Sequence, residues 1–155
     1  MSNKRYDKSD PMLDDEYFMR QALQEALKAF EKEEVPVGAV IVADQRIIAR
    51  AHNLTEMLND VTAHAEMQAV TAAANVLGGK YLTDCTLYVT VEPCPMCAGA
   101  LRWAQITCVV YGAPDEKRGY SRVSSHLLHP KTTVYAGVLA EECADLMKRF
   151  FARFR

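Results

Sequence analysis

One junction limits the folds open to this chain more than any other feature. Thr86 to Val91 alternates apolar and polar residues as a strand does, Pro93 and Pro95 end it, and Met96 to Ala104 follows as a helical run of small and apolar residues. Cys94 and Cys97 sit on the turn between the two. The largely apolar stretch Ile106 to Tyr111 then reads as a strand buried on both faces, which suits a parallel part of a sheet. Strand, short turn, helix and strand again is the unit of an α/β fold.

The rest of the chain agrees with that unit. Asp14, Asp15 and Glu16 offer acidic cap chemistry before Phe18, Ala22, Leu23, Ala26, Leu27 and Phe30, which recur at helical spacing and predict an amphipathic helix ending near Glu34. Val37 to Ala43, the polar Asp44-Gln45-Arg46 and then Ile47 to Ala49 read as a β-hairpin. The alanine-rich run from His64 predicts a second helix, stopped by Gly78-Gly79. Gly112 to Lys131 reads as a long polar loop, Thr132 to Val138 as a last short strand, and Leu139 to Phe154 as a closing helix. The expected fold is an α/β sandwich with helices covering the sheet.

Length and composition narrow the function classes. The chain has 155 residues, half of them apolar and a quarter charged, the usual size of one domain. Residues 1–12 are polar and read as a disordered segment, leaving 13–155 as a single domain. Eighteen Lys plus Arg against 20 Asp plus Glu give a net charge of -2, so no global field announces a nucleic-acid or membrane partner. No apolar run approaches the ~20 residues of a membrane span, and no signal-peptide pattern opens the chain, so the expectation is a cytoplasmic protein without a membrane partner. Five cysteines, an odd number, argue against a disulfide framework. Cys85, Cys108 and Cys143 lie in apolar surroundings and are expected in the core.

Cys94 and Cys97 are different. They lie three apart at a helix entry, so both sulfurs can point the same way where helix amides favour thiolate. Two thiolates and one imidazole, with a fourth position open for water, form a catalytic zinc set, and His64 is the histidine at the start of the other helix. A redox dithiol is one alternative. A structural zinc site is another, although it would want four protein ligands, and no second C-x-x-C appears. Glu66, two positions after His64, is badly spaced to share its helix face and is better suited to moving protons than to binding metal.

Together these residues form His64-Ala65-Glu66 and Pro93-Cys94-Pro95-Met96-Cys97, the H-x-E and P-C-x-x-C pattern of zinc nucleobase deaminases. The chain resembles the cytidine deaminase superfamily. Val35 to Val40, Ala51-His52-Asn53, Thr62 to Glu66, Glu92 to Leu101, Tyr111 to Gly119, Gly137 to Cys143 and Phe150-Phe151 look more specifically like the bacterial tRNA-specific adenosine deaminases. That resemblance covers the chain from about Tyr17 onward.

The resemblance implies a three-layer α/β/α sandwich around a mixed five-stranded sheet, one zinc ion per subunit, and hydrolysis of the wobble adenosine of a tRNA anticodon to inosine. Zinc-activated hydroxide would attack C6 of a flipped-out adenine while Glu66 shuttles the proton. Asn53, the Ala65 amide and the Pro93 carbonyl would hold the base, with Asp115 and Lys117 nearby. Arg118, Arg122, Lys148, Arg149, Arg153 and the terminal Arg155 would meet RNA phosphates. An arginine tRNA anticodon loop and a second copy of the chain are the implied partners, and the small apolar face of Ala98 to Leu101 with Trp103 suits a homodimer interface and plain core equally.

Two departures stand out: Val61 replaces a proline, and Ser121 to Thr133 differs from the usual pattern, which bears on the RNA contacts and not on the zinc residues. His126 and His129 in that segment are assigned no role. The alternatives are deamination of free guanine or another base or nucleoside, and a catalytically silent zinc-binding partner subunit, which the presence of Glu66 argues against.

Overall fold

The computed structural model describes residues 14–154, so the segment expected to be disordered, 1–12, lies outside the described residues. Strands β1 (Gly38–Ala43), β2 (Arg46–His52), β3 (Cys85–Val91), β4 (Cys108–Ala113) and β5 (Thr133–Ala136) form one sheet in the order β2-β1-β3-β4-β5. β1 pairs antiparallel with both β2 and β3, whereas β3, β4 and β5 run parallel. The sheet is therefore mixed and five-stranded, as the resemblance implied.

Period-2 alternation sorts the sheet's side chains into two cores. Ala39, Ile41, Leu87, Val89 and Val109 face one side, where they meet helices α2 (Ala65–Leu77) and α3 (Pro95–Ala104). Val40, Val42, Tyr88, Cys108 and Val110 face the other, against α1 (Asp15–Glu31) and α4 (Ala140–Phe154). Three layers result. Ala65, Ala69 and Ala73 recur every four residues along α2 and are all buried, so this helix lies close on the sheet. Cys85, Cys108 and Cys143 are buried in these cores as expected.

The helix ends follow ordinary chemistry. Asp14 caps α1, its side chain accepting from the Tyr17 amide at 2.8 Å, and Gly78 closes α2 in the left-handed conformation. Leu27 departs from the expected buried stripe. It lies on the edge of the α1 face, 43% exposed, while Met19 and Ala29 take the core positions.

The segment read as a polar loop is more structured than expected. Gly112 and Ala113 belong to β4, Tyr120–Arg122 forms a short 3-10 helix, and Tyr120 and Leu128 are buried against the α2 and α3 side. Arg102 ties the distal part down by donating to the carbonyls of His126 and Leu128 at 3.2 and 3.0 Å. Among the described residues His126 and His129 join no metal-ligand group, and His129 Nδ1 accepts from the Lys131 amide.

Gly38 is required by close approach. A Cβ there would lie 2.1 Å from the Ala22 carbonyl oxygen and 2.3 Å from the Ala26 nitrogen. Backbone cannot yield as a flexible side chain can, so Gly38→Ala is expected to cost about 3 kcal/mol or more. Urea unfolding of the variant measures this, and an unchanged midpoint would show that α1 and β1 are less tightly apposed.

A buried acid also holds the layers together. Glu25 is 3% exposed, accepts from Lys28 Nζ at 2.7 Å and meets His52 Nδ1 at 3.3 Å, which joins α1 to the end of β2. Burial pushes its pKa up, but the hydrogen bonds from Lys28 and His52 outweigh that and hold it below the usual glutamate value. A depressed folded pKa contributes stability that is complete above the unfolded value of ~4.3 and is lost as pH falls through the folded one. Glu25→Gln is expected to cost about 1 kcal/mol at pH 7, because its cationic partner Lys28 is half in solvent, and the gap from wild type should close below about pH 4. Paired denaturation curves at the two pH values test it.

Candidate active site

The site lies at the carboxyl ends of the parallel strands, where an open α/β sheet leaves a crevice. β3 delivers the chain to Glu92, Pro93 and Cys94, and β4 delivers it to Pro114 and Asp115. His64 and Cys94 occupy the N-cap positions of α2 and α3, and neither side chain caps its helix. Both are free to turn toward the crevice. Cys97, in the first turn of α3, is fully buried beside them.

The three residues converge. Their ligand atoms lie within 4.8 Å of one another, with His64 Nδ1 at 3.7 Å from Cys94 Sγ and 3.5 Å from Cys97 Sγ. A tetrahedral zinc with bonds of about 2.3 Å to sulfur and about 2.0 Å to nitrogen separates such atoms by roughly 3.5 Å. The donor set fits a zinc-sized, borderline-soft cation.

Neighbouring groups and burial set the protonation preferences of the three side chains. A hydrogen bond from Cys97, reinforced by His64 against the opposing effect of burial, holds Cys94 at about 4. The same bond and burial push Cys97 far above the ordinary thiol range, and the hydrogen bond to Cys94 raises His64. Thiolates are the metal-binding form of cysteine, so a cation bound here releases protons from the pair.

Glu66 is 4% exposed and stands outside the three-ligand group. Burial pushes its carboxyl up to about 7. A carboxyl raised toward neutrality in this way is suited to both taking and giving a proton.

A cavity of about 640 Å³ opens over the centre. Asn53, Ala65 and Glu66 line its inner part, Asp115, Lys117 and Arg118 its rim, and Met147, Lys148 and Phe151 of α4 the far wall. Asn53 is buried, its amide donating to the Val35 carbonyl and its oxygen accepting from Thr55 N, both at 3.2 Å. Pro93 is buried behind the wall and its carbonyl accepts from the Tyr120 amide at 2.9 Å.

The basic residues scatter. Lys117, Arg118 and Lys148 reach the cavity, and Arg122 is exposed on the 3-10 helix. Arg149 instead pairs with Asp145 at 3.3 Å, lies over the Phe30 ring and lines a separate depression between α1 and α4. Arg153 lies over the Phe154 ring, and Arg155 is outside the described residues.

Three polar residues that the sequence did not single out shape the site. Gln68 donates through Nε2 to the carbonyls of His52 at 2.8 Å and Ala63 at 3.0 Å, tying the end of β2 to the turn that presents His64. Glu34, 1% exposed, accepts from the amides of Glu56 and Met57 and braces the loop after Asn53. Glu92, also buried, accepts from Asp115 and Ser121. No local spacing marks any of them, because each partner is distant in sequence or is backbone. Val61 is 84% exposed on a turn and packs against no core.

A mixed sheet with two helices on each face, a His/Cys/Cys set borne at two helix starts and a buried glutamate beside it define a zinc-site deaminase. Residues 12–113 match the family model described as the cytidine and deoxycytidylate deaminase zinc-binding region. The tRNA-specific adenosine deaminase of Bacillus subtilis is 47% identical over 149 residues, covering 93% of this chain and 92% of that protein. The chloroplastic tRNA(adenine(34)) deaminase of Arabidopsis thaliana is also 47% identical over 88% of this chain, which spans 12% of that longer protein.

A solved structure from work on A-to-I editing by tRNA:A34 deaminases matches with a TM-score of 0.78 and 44% identity, covering 84% of this chain and 98% of its own. The guanine deaminase structure from Bacillus subtilis is more distant, at a TM-score of 0.63 and 34% identity over 90% of this chain and 94% of its own. The chain belongs to the tRNA-specific adenosine deaminase family, within the zinc-binding cytidine and deoxycytidylate deaminases.

Proposed function

We propose that the chain hydrolyses adenosine to inosine at the wobble position of a tRNA anticodon, releasing ammonia. The observation that carries the reading is a buried glutamate set beside a His/Cys/Cys centre at the floor of a cavity rimmed by Lys117 and Arg118, in a chain 47% identical to a tRNA-specific adenosine deaminase. His64, Cys94 and Cys97 hold one zinc ion per subunit. When bound, zinc supplies Lewis acidity that lowers the pKa of water toward neutrality.

Glu66 then acts through its carboxyl. It takes a proton from the water that adds at C6 and delivers it to the departing nitrogen, and its value of about 7 suits both transfers. The Ala65 amide, in the first turn of α2, has no helical acceptor and is available to the base edge, with Asn53 opposite. The Pro93 carbonyl keeps a second lone pair after accepting from Tyr120. Asp115 and Lys117 border the entering nucleotide, and Arg118, Lys148 and Arg122 face the phosphates. An unpaired loop base costs little to extrude, so an anticodon is a fitting substrate, an arginine tRNA among them.

The reading includes a single catalytic domain over 13–155, a cytoplasmic location and a homodimer. Trp103, 81% exposed, and the exposed Met96 two turns earlier on α3 support an interface on that helix. Among the described residues no helix is long and apolar enough to cross a membrane.

Deamination of free guanine would use the same centre, and the 34% identity to a guanine deaminase favours testing it directly. Zinc-quantified protein is offered an arginine-type anticodon stem-loop with adenosine at the wobble position, beside free adenosine, cytidine and guanine. Inosine in the stem-loop alone is the expected result. Ammonia from guanine with the stem-loop untouched would move the protein to nucleobase salvage.

A further inference from the structure

Glu92 stands one residue beyond β3 and two before Cys94, and the proton chemistry above does not use it. It is 5% exposed, and three donors converge on its carboxylate from a segment more than twenty residues further along. Asp115 N donates to Oε1 at 3.1 Å, and Ser121 donates to Oε2 through N at 3.1 Å and Oγ at 2.6 Å. Gly119 passes so close that a Cβ there would lie 2.4 Å from the carboxyl carbon. A side chain at 119 would have to displace the Glu92 carboxylate.

Backbone bonds complete the fastening. Tyr120 N donates to the Pro93 carbonyl and Glu92 N to the Ala113 carbonyl, both at 2.9 Å. Both ends of segment 115–121 are thus tied to residues 92 and 93, while Lys117 and Arg118 remain exposed on the cavity rim between them. Asp115 extends the arrangement inward, its Oδ1 accepting from the amides of Lys117 at 3.0 Å and Arg118 at 2.9 Å. Glu92 fixes Asp115, and Asp115 fixes the turn that carries both cations.

We infer that Glu92 is a positioning residue for RNA recognition, clamping the 115–121 loop to the strand end that carries Cys94 so that Lys117 and Arg118 keep a fixed register with the reacting base. The inference rests on the tRNA reading above. An ionised carboxylate presents only acceptors, which matches three donors. A glutamine of the same shape would turn an NH₂ group toward the amide of Asp115 or Ser121, leaving donors opposed in a buried place. The role therefore demands the acid and not merely its volume.

The test compares wild type with E92Q and S121A, all with zinc quantified. Trypsin is expected to cleave E92Q after Lys117 and Arg118 about tenfold faster than wild type, as loss of a charge-assisted hydrogen bond predicts, with other sites and zinc content unchanged. KM for the stem-loop should rise about tenfold while kcat stays within about twofold, the signature of lost uniform binding. S121A keeps both backbone bonds to Glu92 and loses only the hydroxyl one, so it should shift both readouts the same way by less, and it decides the matter if E92Q does not fold.

Unchanged cleavage at Lys117 and Arg118 would overturn the clasp. Faster cleavage with an unchanged KM, or a fall confined to kcat, would overturn its role in recognition. If the wild type leaves the stem-loop unedited, the tRNA reading falls and takes recognition with it, while the cleavage rates still decide whether Glu92 holds the loop.

Discussion

Glu66→Gln should leave a folded, metal-loaded protein that hardly turns over. The amide preserves the shape of the side chain within its buried setting but can neither take a proton from water nor return one to nitrogen. General acid–base contributions of this kind are worth about 10²–10⁴-fold in rate. The fall should appear in kcat, with metal content at one equivalent and a thermal midpoint equal to or above that of wild type, because the amide removes a burial penalty. Inosine formation and metal analysis on the same sample separate these effects. Activity within tenfold of wild type would show that another group moves the proton.

Removal of the metal is the other large expected effect. Cys97→Ala takes away a fully buried sulfur from a set of three, and neither His64 nor Cys94 can hold a catalytic cation alone. Turnover should be lost both in this variant and in wild type stripped with a chelator. A ligand at a thousand times its dissociation constant adds about 4 kcal/mol to stability, which corresponds to roughly 10 °C in the thermal midpoint of a chain this size. Zinc should restore the stripped wild type and leave the variant inactive. A stripped enzyme that still makes inosine would remove the metal from the chemistry altogether.

The centre was readable in the sequence because its chemistry is written in residue types at element boundaries. Cys94 and Cys97 straddle a strand-to-helix turn, His64 stands where an alanine-rich helix begins, and Glu66 follows at a spacing that keeps it out of the three-ligand group. The sheet's parallel half was readable for a related reason, since Cys108 to Val110 form an apolar run without alternation and are buried. That β1 would sit between β2 and β3 left no such trace. Its neighbours depend on pairing across the sheet, which local periodicity does not encode.

Buried carboxylates were the least legible. Glu25, Glu34 and Glu92 each look like a solvated acid in sequence, and Glu34 and Glu92 are held by backbone amides belonging to distant loops. An amide is present at almost every residue, so no letter in the sequence announces that it will donate to a given acid. The spread of the basic tail was hidden for the converse reason. Lys148, Arg149 and Arg153 cluster in sequence, but helical spacing carries Lys148 to the cavity and sends Arg149 toward Asp145 and Phe30.

The two uncapped helix starts set a limit on how far this protein can be improved. At the N-cap of α2 and of α3, a serine, threonine, asparagine or aspartate would ordinarily satisfy a stray amide and add about 1 kcal/mol. His64 and Cys94 hold those places and point elsewhere. An effort to raise heat resistance by optimising helix ends would find these two targets closed, since each gain there would erase a member of the His/Cys/Cys set. Thermal robustness in this scaffold must be gained away from the helix starts.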